Sequence, residues 1–359
     1  MSATGKKSKI LIMAGGTGGH VFPALAVADE LRARGVEVVW LGTRRGLEAE
    51  VVPRANIDIS FISIAGLRGN GLLGWLLAPV KLVYALWQGI QVMNTQKPLA
   101  VLGMGGFVTG PGGIAAWLTR RPLLVHEQNA ISGLTNRLLV PFARTVMEAF
   151  PDSIAKGKAI HTGNPLRKDL LDLYSDTERQ IHDPLQILVV GGSLGAKALN
   201  DVVPAALSKI AADARPQVWH QTGKKNIDEA IESYKQAGVE AKVVPFIENM
   251  AEAYQWADLV ICRAGAMTIA ELAIAGVGSI LVPYPFAVDD HQTSNAKYLT
   301  DKDAAVVVQQ KDLTVDVLGR LLQEMTVPRL KAMAKAAHDL ALPNATAFVA
   351  DKCMEAAHA

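Results

Sequence analysis

The residues able to do chemistry in this chain gather at a few glycine-rich or polar turns. His20 closes the stretch Gly15-Gly16-Thr17-Gly18-Gly19-His20 and is its only titratable side chain. An imidazole ordinarily titrates near neutral pH, so a histidine on such a loop suits a general base beside a bound ligand. The same residues also fit a tight strand-to-helix turn with a capping histidine. Arg263-Ala264-Gly265-Ala266-Met267-Thr268-Ile269-Ala270-Glu271 reads as a turn that opens a helix. Its first amides would meet an anion, and Glu271, one turn in, could accept from the two hydroxyls of a ribose. The plainer alternative is that Glu271 offsets the helix dipole. Gly191-Gly192-Ser193-Leu194-Gly195 is a second anion-ready helix start, with Ser193 placed to cap it or to donate to a phosphate. Asn164-Pro165-Leu166-Arg167 offers a guanidinium that could clamp a diphosphate or simply be solvated. Asp289-Asp290-His291-Gln292-Thr293-Ser294-Asn295 could read sugar hydroxyls; it has no established metal-ligand spacing.

Such turns need strands before them and helices after them. The apolar run 9–14 predicts a buried parallel strand, and 21–34 a helix. Further strands are expected at 36–42, 59–64, 99–103 and 123–129, then at 185–190, 217–221, 241–245, 259–262 and 279–283. A second glycine loop, 103–113, follows the strand at 99–103. Alternation of strands and helices predicts doubly wound parallel sheets, with ligands at the carboxyl ends of the strands. The strand–glycine-loop–helix opening recurs at 185–197, so two similar α/β domains are expected to face each other across a cleft. Residues 157–167 read as the region of a linker. The alanine-rich tail from Val327 reads as helical, interrupted at Pro343. A dinucleotide fingerprint set on Gly16 and Gly18 meets Val21 where its third glycine belongs. Thr43-Arg44-Arg45 stands where a ribose-binding acid would be, which disfavours NAD but leaves NADP open.

The chain has 359 residues, half of them hydrophobic and 19% charged, enough for two cores. Two cysteines, Cys262 and Cys353, form no disulfide or zinc pattern and point to a reducing compartment. The apolar run after the basic start is too short for a signal peptide. No Asp or Glu occurs between Asp58 and Glu127, whereas Arg68, Lys81, Lys97, Arg120 and Arg121 do. Within that gap, residues 72–87 are apolar on nearly every helical face and include Trp75, Tyr84 and Trp87. The run is too interrupted to cross a bilayer. It suits the surface of an anionic membrane, or else a helix buried on the sheet.

Six motifs in order resemble the MurG family of bacterial glycosyltransferases: the 15–20 loop, Gly103-Met104-Gly105-Gly106-Phe107-Val108-Thr109-Gly110-Pro111, His126-Glu127-Gln128-Asn129, Gly163-Asn164-Pro165-Leu166-Arg167, Gly191-Gly192-Ser193, and 263–271. The resemblance covers essentially the whole chain. It implies a GT-B fold, α/β with two Rossmann-like domains: 1–165, rejoined by a helix at 344–359, for acceptor and membrane, and 166–343 for UDP-N-acetylglucosamine. It implies inverting transfer of N-acetylglucosamine to undecaprenyl-diphosphate-linked muramyl-pentapeptide at the cytoplasmic face of the inner membrane. No cofactor and no nucleic acid are implied; cell-wall synthesis and division proteins are implied as partners. A nucleotide-sugar epimerase or a non-catalytic nucleotide-sugar-binding scaffold on the same fold are the alternatives.

By motif match, the Ile247 backbone should meet the uracil and Glu271 the ribose. Ser193, Arg167 and the turn Ala266-Met267-Thr268, with Ile269 and Ala270 behind it, should hold the diphosphate. Gln292 and Asn129 should touch the sugar, and Thr17, Gly18 and Gly19 should lie over it. His20 is the expected base and Glu127 its rival. Leu194 and His291 depart from the usual glutamines of the pattern, which leaves a sugar contact at 291 open.

Overall fold

The computed structural model describes residues 8–64, 77–174, 179–192, 195–287 and 290–359. They form two compact units, Met1–Arg167 with Asn344–Ala359, and Lys168–Pro343.

In the first unit β1 (Lys9–Met13), β2 (Glu37–Gly42), β3 (Asp58–Phe61), β4 (Ala100–Gly103), β5 (Leu123–Glu127), β6 (Thr145–Glu148) and β7 (Ile160–His161) form one sheet in the order β3-β2-β1-β4-β5-β6-β7. Among the described residues its strands pair in parallel throughout. Along β1 the side chains alternate between two cores. Ile10 and Ile12 pack with Val27, Leu31 and Trp40, and Leu11 and Met13 with Ala85, Met93 and Ala115. Period-two alternation sends neighbours to opposite faces, and helices cover both, so the strand reads as an unbroken apolar run. The last helix, Ala345–His358, completes the first of these cores through Val349, Ala350 and Cys353, all buried.

The second unit repeats the plan. Its strands β8 (Gln186–Val190), β9 (Gln217–Gln221), β10 (Lys242–Val244), β11 (Leu259–Cys262), β12 (Gly278–Leu281) and β13 (Ala305–Val307) run in the order β10-β9-β8-β11-β12-β13. In each sheet the order reverses beside its first strand, at β1/β4 and at β8/β11. Crevices at the carboxyl ends of strands open at such reversals. The glycine turns after β1, β4, β8 and β11 border those two points.

Three expectations are corrected. The stretch 157–167 contains β7, paired through Met147↔Ile160 and Glu148↔His161, so the sheet continues into what reads as linker. Two exposed residues at a sheet edge carry too little pattern to announce a strand. The strands β6 and β13 were not anticipated either. The buried Glu148 ends β6 because its carboxylate accepts from the backbone N–H of Asp152, Ser153 and Ile154. The first helix spans Gly18–Ala33, so Gly18, Gly19 and His20 form its first turn rather than a preceding loop. Thr17 is the extended residue at its cap, and its carbonyl accepts from His20 and Val21.

Of the apolar run 72–87, residues 72–76, including Trp75, lie outside the described residues, as does Arg68. From Ala78 the chain is helical to Gln96. Ala85, Gly89 and Met93, four residues apart, face inward. Val80, Leu82, Val83, Tyr84 and Trp87 remain exposed, Val83 by 67% and Trp87 by 51%. The reading as a helix packed on the sheet describes its inner face; the outer face is exposed. Among the described residues no helix is long and apolar enough to cross a membrane.

Candidate functional site

The turn after β1 is held from three sides. The carboxylate of Glu48, fully buried, accepts from Gly16 N–H at 2.9 Å and from the N–H and hydroxyl of Thr43, each at 2.8 Å. Trp40 donates its indole N–H to Ala14 O at 2.9 Å. From the β4 side, Met104 N–H donates to Met13 O, and the Thr109 hydroxyl donates to Gly105 O at 2.7 Å. Gly106, at φ +85°, lies so close to Gly15 that any Cβ would strike the Gly15 backbone.

His20 projects from this pinned turn. Its ring lies against Gly105, where a Cβ would come within 2.8 Å of Nδ1. Nδ1 is 2.8 Å from the Gln128 side-chain oxygen. Gln128 is buried, and its Nε2 donates to His126 O at 2.9 Å and faces His126 Nδ1 at 3.0 Å. His126 is fully buried, and desolvation holds its imidazole down at about 4, so it is neutral at pH 7.

Glu127 is 1% exposed. One oxygen accepts from Asn129 N–H at 3.0 Å. The other accepts from Gly133 N–H at 3.1 Å and Asn136 Nδ2 at 2.9 Å. A carboxylate engaged this way shapes the 127–136 turn, and Asn129 is positioned by it. Arg167 is exposed at the end of the unit. Just before it, Leu166 N–H donates to the Thr346 hydroxyl at 2.9 Å, and that hydroxyl donates to Leu166 O at 2.8 Å. The last helix therefore fixes the backbone from which Arg167 departs.

In the second unit Ser193 and Leu194 lie outside the described residues, as does Asp289. The turn beside them is tied by Gln221, whose Nε2 donates to Gly192 O at 2.9 Å and whose oxygen accepts from Ile247 N–H at 2.9 Å. The helix Ala266–Ala275 starts after Gly265, with Ala266, Met267 and Thr268 as its first turn and Ile269 and Ala270 leading to Glu271. Ile269 packs into the core while Glu271 stays partly exposed. The hydroxyl of Tyr254 donates to Glu271 Oε2 at 2.8 Å. Burial, reinforced by the Glu271 charge, pushes the Tyr254 phenol well above its ordinary range, so it remains the donor. Arg263, by contrast, is structural: it donates to Val282 O at 3.1 Å and to the Gln310 side-chain oxygen at 2.6 Å, joining the ends of β11 and β12. Gln292 accepts from Tyr284 N–H at 2.9 Å in the first turn of the helix His291–Thr300.

Each group of expected residues follows the carboxyl end of a parallel strand in its own unit. Thr17, Gly18, Gly19 and His20 follow β1, Glu127 ends β5 with Asn129 just beyond, and Arg167 follows β7. Ile247 follows β10, the 266–271 turn β11, and Gln292 β12. Gln128, His126, Glu48, Gln221 and Tyr254 were not singled out, yet they orient the residues that were. The only sequence signal for the first two was their place in the 126–129 motif.

The glycosyltransferase family 28 N-terminal domain matches residues 10–148 and the C-terminal domain of the same family residues 186–350. A protein of Alkalilimnicola ehrlichii named UDP-N-acetylglucosamine–N-acetylmuramyl-(pentapeptide) pyrophosphoryl-undecaprenol N-acetylglucosamine transferase is 54% identical over 97% of this chain and 99% of its own. A protein of Nitrosococcus oceani with the same name is 54% identical, again over 97% and 99%. The crystal structure of Acinetobacter baumannii MurG superposes with a TM-score of 0.84 at 42% identity, covering 97% of this chain and 99% of that one. Two GT-B-type α/β units, the pinned histidine turn and these near-full-length identities lead to one conclusion: the chain belongs to the MurG family of glycosyltransferases.

Proposed function

We infer that this protein transfers N-acetylglucosamine from UDP-N-acetylglucosamine to the 4-hydroxyl of undecaprenyl-diphosphate-linked N-acetylmuramyl-pentapeptide, in peptidoglycan synthesis. The observation that carries the reading is identity of 54% to transferases of that name across both units. The epimerase alternative draws only on the shared fold and accounts for no such identity.

The chemistry follows from the site. The acceptor oxygen attacks the anomeric carbon, the bond from that carbon to the UDP phosphate breaks with inversion, and the hydroxyl proton goes to a base. His20 is that base: its ring is held, and its Nε2 is the nitrogen not turned toward Gln128. Glu127 is a positioning group, because its two oxygens accept three well-formed hydrogen bonds from its own turn. Charge building on the leaving diphosphate is met by the first turn at Ala266, Met267 and Thr268, by Ser193 and by Arg167, and such preorganised donors are usually the largest catalytic contribution. Glu271 takes the ribose hydroxyls. Ile247 offers a base its carbonyl, since its N–H is already given to Gln221. Gln292 and Asn129 contact the sugar, and Thr17, Gly18 and Gly19 pass over it. The assay that tests the whole reading follows UDP release with and without the lipid-linked acceptor. Acceptor-dependent release is expected, and turnover to another UDP-sugar without acceptor would overturn it.

The protein works as a peripheral enzyme on the cytoplasmic face of the membrane. The outer face of Ala78–Gln96 exposes Val80, Val83 and the stacked pair Tyr84 and Trp87, whose rings are 5.7 Å apart. Beside it a cavity of about 830 Å³ is lined by Arg44, Arg45 and Lys81 together with Phe61, Leu82 and Tyr84. Aromatic and aliphatic side chains flanked by cations fit the interface of an anionic bilayer. Val83→Glu combined with Trp87→Glu is expected to lower binding to anionic vesicles while turnover of a soluble acceptor analogue is kept. Undiminished vesicle binding would assign that face to another partner, such as the cell-wall synthesis and division proteins that are candidate contacts.

A further inference from the structure

A neutral histidine can act as a base only through its bare nitrogen, and imidazole has two tautomers. Which one His20 adopts is therefore a catalytic variable. The first unit contains a chain of buried groups that settles it.

The chain starts at a backbone carbonyl. Gly163 O lies 3.0 Å from His126 Nε2. A carbonyl only accepts, so Nε2 carries the hydrogen; the Thr162 hydroxyl, 3.1 Å from the same nitrogen, gives its own hydrogen to Gly163 O at 3.0 Å and leaves its lone pairs toward the ring. His126 is neutral in its buried site, so its Nδ1 is bare. The atom facing that Nδ1 at 3.0 Å must donate, which makes it the amide nitrogen of Gln128. A second acceptor, His126 O at 2.9 Å from the same atom, demands the same orientation independently. The Gln128 oxygen then faces the other way, 2.8 Å from His20 Nδ1. Having only lone pairs to offer, it requires a hydrogen on that nitrogen.

We propose that Gln128, oriented by His126 and the Gly163 carbonyl, is a positioning residue that locks His20 in its Nδ1–H tautomer and so keeps the Nε2 lone pair for the acceptor hydroxyl. The proposal rests on the reading of His20 as the base, and it goes beyond that reading by giving two buried side chains, neither of them assigned to substrate, a defined share in the reaction. It also accounts for three features that substrate binding does not. Gln128 and His126 are buried polar groups, so each must find partners within the protein. Gly105 leaves the ring a flat seat beside Nδ1, where a side chain would displace it. The Asn164 side chain donates to Gln128 O at 3.0 Å, which holds the backbone of the relay residue from the β7 side.

The test reads the tautomer directly. Long-range proton–nitrogen NMR on full-length protein labelled at histidine nitrogens, with His20 assigned by the signal missing from His20→Ala, is expected to show His20 mainly as Nδ1–H in the wild type. Gln128→Leu is expected to move it toward Nε2–H and to lower kcat by roughly 10- to 100-fold, as loss of an orienting partner does elsewhere, with the donor KM unchanged. His126→Phe, which touches Gln128 and not His20, should shift the same tautomer in the same direction. A wild-type spectrum dominated by Nε2–H overturns the proposal, as does a tautomer unmoved by both variants. The wild-type spectrum decides even if a variant does not fold. Retention of kcat by His20→Ala would instead remove the base assignment, an outcome the tautomer measurement is independent of.

Discussion

His20→Ala lowers kcat for transfer to the lipid-linked acceptor by roughly 10²- to 10⁴-fold, the span typical of a positioned general base, while the Kd of UDP-N-acetylglucosamine stays at its wild-type value. The split between the two constants is the argument. His20 belongs to the first unit, on a turn pinned by Glu48, Trp40 and the Gly105-Gly106 loop, with its Nδ1 engaged by Gln128. Removing an interaction made only in the transition state lowers kcat and leaves ground-state binding alone. Single-turnover rates and a donor titration on the same variant measure both. An unchanged kcat removes His20 as the base. Equal losses in kcat and donor affinity would make it a donor contact instead. The rival carboxylate behaves differently in physical terms. Glu127 accepts from two backbone N–H groups and from Asn136, and its removal takes from the turn the carboxylate that ties residues 129, 133 and 136 together. Each of those hydrogen bonds to a charged group is worth roughly 1.5–3 kcal/mol, less where water replaces it at the exposed Gly133, and the loss falls on the stability of the turn.

The contrast between these two residues shows what a sequence can carry. His20 stands out because it is the sole titratable group on a glycine-rich turn, and the structure seats its ring against Gly105 and Gln128. Glu127 stood out for its type alone. Its occupancy depends on Gly133 and Asn136, six and nine residues on, and no pattern of types at that spacing announces a closed hydrogen-bonded turn. The strands whose side chains all face one of two cores were legible as apolar runs, β1 and β8 being the clearest. A two-residue edge strand such as β7 was not, because its pairing and not its composition makes it a strand. The helix Ala78–Gln96 was legible as apolar, but which half of it faced outward followed from packing: Gly89 lies close to Ala115, so that side turns inward. Gln128 and Gln221 illustrate the remaining limit. Each orients a loop or a ring through its amide, and an amide's role is set by what its two ends meet.

Glu271→Ala raises the Kd of UDP-N-acetylglucosamine by about two orders of magnitude. Two hydrogen bonds from ribose hydroxyls to a carboxylate are each worth roughly 1.5–3 kcal/mol, and partial replacement by water brings the net loss to about 3 kcal/mol, or roughly 100-fold. At saturating donor, kcat is kept, because the ribose does not change between ground and transition states. Tyr254→Phe should show the same effect in reduced form. Its hydroxyl donates to Glu271 Oε2 and holds the carboxylate from behind, so its loss disorders the acceptor without removing it. The decisive comparison uses UDP alone. The ribose is common to UDP and to the sugar nucleotide, so Glu271→Ala must weaken both by the same factor. A variant that binds UDP as the wild type does would show that Glu271 serves the helix dipole and not the ribose. A variant that loses affinity for the sugar nucleotide only would move this carboxylate from the ribose to the N-acetylglucosamine ring.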